Sequence, residues 1–179
     1  ILLGSVPIIF AGFLLVKYNL IDQLRNIKII GWTTLFFGIL LFFSDKFKTD
    51  KSMESGLNFK SIIFIGFMQI LALIPGTSRS GISITTARFL QYNRYDAAKI
   101  SFLLSIPTLG AVSLFGIGNI IFEKNTEFSV LNILAIFLSF IFSFITIKFF
   151  LSYLKKFSLK VFILYRVILG IIILILAYI

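Results

Sequence analysis

Between Pro75 and Thr86 the chain gathers Thr77, Ser78, Arg79, Ser80, Ser83, Thr85 and Thr86, with Gln69 six residues before Pro75. An arginine among hydroxyls is the chemistry of an anion site, and the spacing points to a phosphate. Pro75-Gly76 breaks a helix, and Thr77 or Ser78 can cap the next one by accepting its free N–H groups. Those N–H groups and the helix dipole attract negative charge. Gly76 and Gly81 let backbone approach a ligand closely. Arg79 can grip phosphate oxygens in a bidentate fork, as a lysine cannot.

Plainer roles compete for some of these residues. Hydroxyls in membrane helices usually bond their own backbone, which suits Ser83, Thr85 and Thr86. Gln69 suits helix–helix contact as well as ligand contact. Arg79 is harder to explain structurally, because an arginine at membrane depth costs roughly 2.5 kcal/mol or more and marks a functional site by default. Arg166 lies six residues from Lys160, so its side chain can snorkel or pair structurally. No acid falls inside an apolar segment: Asp22, Asp45, Asp50, Glu54, Asp96, Glu123 and Glu127 all read as loop residues. The chain holds no His and no Cys, which removes thiolate chemistry and the commonest general base. Phosphoryl transfer usually needs a carboxylate or a His, and none stands beside this clamp.

The elements that must position the cluster are membrane helices. The composition is 59% hydrophobic and 13% charged, with 23 phenylalanines, against about 45–50% and about 25% in globular chains. The net charge of +10 sits in short loops between apolar runs, so it reads as topology and lipid headgroup contact and argues against nucleic acid. Spans are expected over 1–18, 28–43, 100–122, 130–152 and 160–179, each near the ~20 residues a bilayer needs. A polar loop, Ser44–Lys60, precedes the exception, Ser61–Tyr92. Its first apolar arm, Ser61–Ile74, reaches only ~21 Å as a helix, short of a ~30 Å hydrocarbon core. The turn Pro75–Gly81 would be intolerable facing lipid but acceptable lining a cavity. The fold class expected is therefore an all-α polytopic membrane protein with five membrane-spanning helices plus one re-entrant helical hairpin, 61–92.

Basic residues then sort by side. Lys46, Lys48, Lys51, Lys60, Arg88, Arg94, Lys99, Lys148, Lys155, Lys156 and Lys160 fall on one side, and Lys17, Arg25, Lys28 and Lys124 on the other. The positive-inside rule makes the first side cytoplasmic; the hairpin enters from the cytoplasm and the C-terminus lies outside. The chain opens on Ile1-Leu2-Leu3, inside an apolar run, with neither Met nor a basic leader region. It reads as lacking its natural N-terminus.

Gln69-Ile-Leu-Ala-Leu-Ile-Pro-Gly-Thr-Ser-Arg-Ser-Gly81, then Asn93-Arg94-Tyr95-Asp96-Ala97-Ala98 and Ser101-Phe102-Leu103-Leu104-Ser105-Ile106-Pro107, closely resembles the undecaprenyl-diphosphate phosphatase (bacitracin-resistance) family. That family carries Pro-Gly-x-Ser-Arg-Ser-Gly and then Ser-Phe-Leu-Leu-x-x-Pro, and the likeness extends to Leu3-Gly4-x-x-Pro7 and to Tyr165-Arg166. The resemblance implies a bacterial inner-membrane enzyme of two inverted repeats, each with a re-entrant hairpin. Residues 1–43 would end the first repeat, 44–60 form a cytoplasmic loop and 61–179 make the second. Such an enzyme removes the terminal phosphate of a polyprenyl diphosphate lipid with a divalent cation, Mg or Ca. Membrane lipids are further partners expected; a homodimer is compatible with the sequence, which does not fix the oligomeric state. By position, Arg79 and Ser78 would be catalytic, and Gly76, Thr77, Ser80, Gly81, Ser83 and Gln69 would bind substrate. Ser83 replaces the family's Thr and keeps a hydroxyl.

The family's first hairpin, with its Glu-x-x-x-Glu helix and Ser-Ser-Thr-Gly-His segment, has no match in these residues. The cation's ligands are expected there, and the 179 residues alone are expected to bind lipid diphosphate weakly without hydrolysing it. Two other classes compete. Acid-phosphatase-like lipid phosphatases need a His six residues after the signature arginine, where Thr85 stands. A lipid-diphosphate flippase would share the broken-helix, inverted-repeat architecture.

Overall fold

The structure is a computed structural model that describes residues 1–18, 20, 24–47, 51–123 and 130–179. Lys48, Asp22, Asp50, Lys124 and Glu127 of the charge reading lie outside the described residues. Among the described residues the elements are α1 (Leu2–Lys17), α2 (Ile27–Lys46), α3 (Met53–Gly56), α4 (Phe59–Met68), a 3₁₀ segment (Gln69–Leu73), α5 (Arg79–Phe89), α6 (Arg94–Glu123), α7 (Val130–Lys156) and α8 (Lys160–Tyr178). The extended chain forms no strand there, only one isolated bridge between Lys51 and Tyr92.

Four helices are long and apolar enough to cross a membrane: Ile27–Lys46, Arg94–Gly118, Leu131–Lys156 and Lys160–Tyr178. The first expected span, 1–18, is a helix of 16 residues, shorter than those four. The chain is a multi-pass α-helical membrane protein. The outer faces of α6, α7 and α8 carry exposed Phe, Leu and Ile, as lipid contact requires; the most apolar stretch of α7 has no buried residue, and Leu154 near its end is buried.

The hairpin forms for local reasons. Asn58 caps α4, its side chain accepting from Ser61 N at 2.8 Å. The α-helix tightens to 3₁₀ at Gln69 and stops at Ile74, whose ψ is 122°, because a residue before proline is pushed out of the helical region. The second arm, α5, runs back until Gln91, whose φ of 72° turns the chain. Lys51 N then donates to Gln91 O at 3.3 Å, and Asn93 N to Lys51 O at 3.0 Å. The two feet of the hairpin are thereby clipped together.

The loops assigned to one side also meet at one end. Asp45, at the end of α2, accepts from Arg94 Nε at 2.6 Å and from Leu159 N, in the α7–α8 turn, at 3.3 Å. Arg88 was expected in a loop; it sits in the last turn of α5, buried, and bonds the carbonyls of Tyr92, Asp45 and Phe47. Burial is possible because those carbonyls replace the water a loop would have offered. Around it, Leu41, Ile84, Ala87, Ala97, Ala98 and Leu104 form the apolar core; the three alanines let α5 and α6 approach closely. At the opposite end Trp32 Nε1 donates to Tyr178 OH at 3.4 Å, so α2 and α8, the most extensively paired helices, run antiparallel.

Candidate anion site at the hairpin tip

Positive φ angles define the tip: Gly76 at 90° and Ser78 at 66°. Glycine accepts this freely, whereas at Ser78 it stores about 1–3 kcal/mol, a cost found where geometry serves a site. A side chain at position 76 would also strike Ile30 O at 2.6 Å. Ser78 then caps α5, its Oγ accepting from Gly81 N at 3.2 Å. Its hydroxyl lies 3.4 Å from that of Ser80, and both residues are exposed. By helix geometry the first N–H groups of α5 have no partner within the helix.

Arg79, half-buried, extends the other way. Its Nη1 donates to Ser105 O at 3.4 Å and to the hydroxyl of Thr108. Both lie on α6 within two residues of Pro107, whose missing N–H leaves the carbonyl of Leu103 without its helical donor. The guanidinium and Thr108 line a largely apolar groove of about 570 Å³, with Ile8, Phe13, Leu73, Val112 and Phe115 among its walls.

The expected site residues divide into two groups. Gly76, Thr77, Ser78, Arg79, Ser80 and Gly81 form the tip and the first turn of α5. Gln69 and Ser83 lie a turn deeper, both fully buried, with Gln69 Nε2 donating to Ser83 Oγ at 2.9 Å and Ser83 Oγ to Arg79 O at 2.8 Å. Thr85 and Thr86 bond the carbonyls of Gly81 and Ile82, each at 2.8 Å, the backbone pairing usual for such hydroxyls.

Three further residues belong to the tip. Thr33 Oγ1 donates to Pro75 O at 2.6 Å and Thr34 Oγ1 to Gly76 O at 3.2 Å. Arg166 Nη2 donates to Gly76 O at 2.9 Å and Thr77 O at 2.8 Å. Sequence offered two signals for them: a Thr pair inside an apolar run, and an arginine within a membrane helix.

The donor set does not fit the divalent cation that the resemblance implies. It consists of guanidiniums, hydroxyls and carbonyls already bonded, whereas Mg or Ca asks for carboxylate oxygens. Among the described residues no three His, Cys, Asp or Glu side chains lie together.

A helical hairpin with an arginine–hydroxyl tip, packed against α1, α2 and α6 in a chain with four long apolar helices, defines a polytopic α-helical membrane protein. The chain belongs to the family of bacitracin resistance protein BacA, whose pattern it matches over residues 1–172. It is 50% identical over 179 residues to the undecaprenyl-diphosphatase of Pelagibacter ubique, covering 99% of this chain and 70% of that one. It is 36% identical to the undecaprenyl-diphosphatase of Jannaschia sp. and 37% identical to that of Roseobacter denitrificans, covering 99% of this chain and 67% of each.

Proposed function

We propose that this chain provides the diphosphate-binding part of an undecaprenyl-diphosphate phosphatase, the activity that returns the lipid carrier of cell-wall synthesis to its monophosphate and opposes bacitracin. The observation that carries this is the placement of the Arg79 guanidinium in the wall of an apolar groove, with Ser78 and Ser80 flanking it in sequence at the start of α5. A polyprenyl tail fits the groove; the diphosphate fits the cation and the hydroxyls.

In this reading Arg79 fixes the phosphoryl oxygens and stabilises the charge that shifts onto them as the anhydride bond breaks, the usual means of assisting phosphoryl transfer. Ser78, Ser80 and the free N–H groups of α5 complete the cradle once Arg79 swings from Ser105 and Thr108 towards them. A serine nucleophile needs a neighbouring base, and among the described residues no acid touches the tip. Hydrolysis therefore calls for groups beyond those described, and residues 1–179 alone bind without turnover. We also infer that the hairpin enters from the cytoplasmic side, where the clipped feet and the lysine-bearing loops gather.

The test is binding of farnesyl diphosphate to the purified chain in nanodiscs, with phosphate release followed in parallel. Binding that falls at least about tenfold in Arg79→Ala, without phosphate release, supports the proposal. Phosphate release abolished by Arg79→Ala would overturn the claim that these residues only bind. Leaflet exchange of a labelled lipid diphosphate without turnover would favour the flippase.

A further inference from the structure

Arg166 is the guanidinium that the chemistry above leaves unused. It lies on α8, 9% exposed, and reaches the hairpin tip 90 residues away in sequence. Its Nη2 holds the carbonyls of Gly76 and Thr77, while Thr33 and Thr34 hold those of Pro75 and Gly76. Three consecutive carbonyls are thus drawn into the wall made by α2 and α8.

A trans peptide unit carries its C=O and its N–H in opposite directions. Directing Thr77 O onto Arg166 therefore sends Ser78 N–H away from α8. The positive φ values at Gly76 and Ser78 accompany this reversal. Arg166 also abuts the first turn of α5, since a Cβ on Gly81 would fall 2.7 Å from Nη1 and 3.2 Å from Ser78 Oγ. The same guanidinium thus sets the tip from below and stands behind the serine that caps it.

We propose that Arg166 is a positioning residue for diphosphate binding: by holding the carbonyls of Gly76 and Thr77 it presents Ser78 and the start of α5 to the anion that Arg79 grips. The proposal rests on reading the tip as a diphosphate site, and its test separates the two.

Farnesyl diphosphate and uncharged farnesol are titrated into the chain and into Arg166→Gln, Arg166→Lys, Thr34→Val and Arg79→Ala, in nanodiscs. Arg166→Gln is expected to weaken diphosphate binding about tenfold or more, the usual consequence of losing a charged hydrogen-bond donor, and to leave farnesol within about twofold. Arg166→Lys, which keeps charge and donors, is expected to restore most of the loss. Amide exchange in the Arg166→Gln protein is expected to speed up over residues 74–82 and nowhere else. Diphosphate binding that survives Arg166→Gln but not Arg79→Ala overturns the proposal and leaves the site standing. A parent chain that does not bind the diphosphate overturns the site itself. Should Arg166→Gln lose farnesol binding and fold together, Thr34→Val decides: a smaller, diphosphate-only loss supports the proposal, and unchanged binding overturns it.

Discussion

Gln69 and Ser83 join the two arms of the hairpin through one bond of 2.9 Å between side chains that are both fully buried. Neither arm is long enough to span a bilayer, so this bond and the clip at Lys51 hold a structure that each arm alone could not. Gln69→Leu is expected to remove the donor while filling the space. Such bonds in membrane proteins contribute about 0.6–1.7 kcal/mol, and a fall of about 1 kcal/mol in unfolding free energy in detergent is the expected outcome. An unchanged unfolding curve would mean that packing alone holds the arms.

Arg79→Lys keeps the charge at the groove but loses the planar fork. Because a fork pairs with two oxygens and an ammonium acts as a point charge, diphosphate affinity is expected to drop about tenfold. Titration calorimetry with farnesyl diphosphate and farnesyl monophosphate checks this, and the diphosphate is expected to lose more. Equal losses would show that Arg79 contributes charge alone.

Gly76→Ala meets both the positive φ of 90° and the carbonyl of Ile30 at 2.6 Å. The conformational part costs about 1–2 kcal/mol, and the collision adds to it because backbone cannot swing aside. The variant is expected to melt well below the parent. Gly81→Ala, by contrast, meets the end of a side chain at 2.7 Å; its expected signature is weaker diphosphate binding with little change in melting.

At the other end of the molecule, Asp45→Ala removes the carboxylate that Arg94 and Leu159 N share, leaving Arg94 the main-chain carbonyl of residue 45 at 3.3 Å. Arg94 is 36% exposed, so water recovers part of the loss, and the cost expected is about 1–2 kcal/mol, below that of a fully buried pair. Chemical denaturation at low and high salt checks this. A strong salt dependence would show the pair to be more solvated than its geometry implies.

The hairpin was legible because its signals are local: Pro75 and Gly76 end one helix, Ser78 starts the next, and Arg79 is out of place in apolar surroundings. The caps at Asn58 and Ser78 and the backbone bonds of Thr85 and Thr86 follow the same short-range logic. Thr33 and Thr34 stand out only as a hydroxyl pair in an apolar run, and neither they nor Thr108 carries a local signal of their partners. Each makes its decisive contact with a residue 29 to 42 positions away, and periodicity within one helix does not register that. Arg88 misled for the same reason, since the carbonyls that let it be buried come from a different segment. Arg166 was visible as an intramembrane charge, but its partners were not, because nothing within α8 identifies them.

The span of chain between Gly76 and Arg166 sets an order of events during synthesis. At about 5–20 residues per second, roughly 5–18 s separate the appearance of the tip from that of the arginine that holds it. In that interval Thr33 and Thr34 are already in place, while the carbonyl of Thr77 still waits for its donor. The hairpin tip is therefore one of the last features to mature on the ribosome. A ribosome stalled before α8 leaves a hairpin whose Gly76 and Thr77 carbonyls lack the donor that Arg166 supplies.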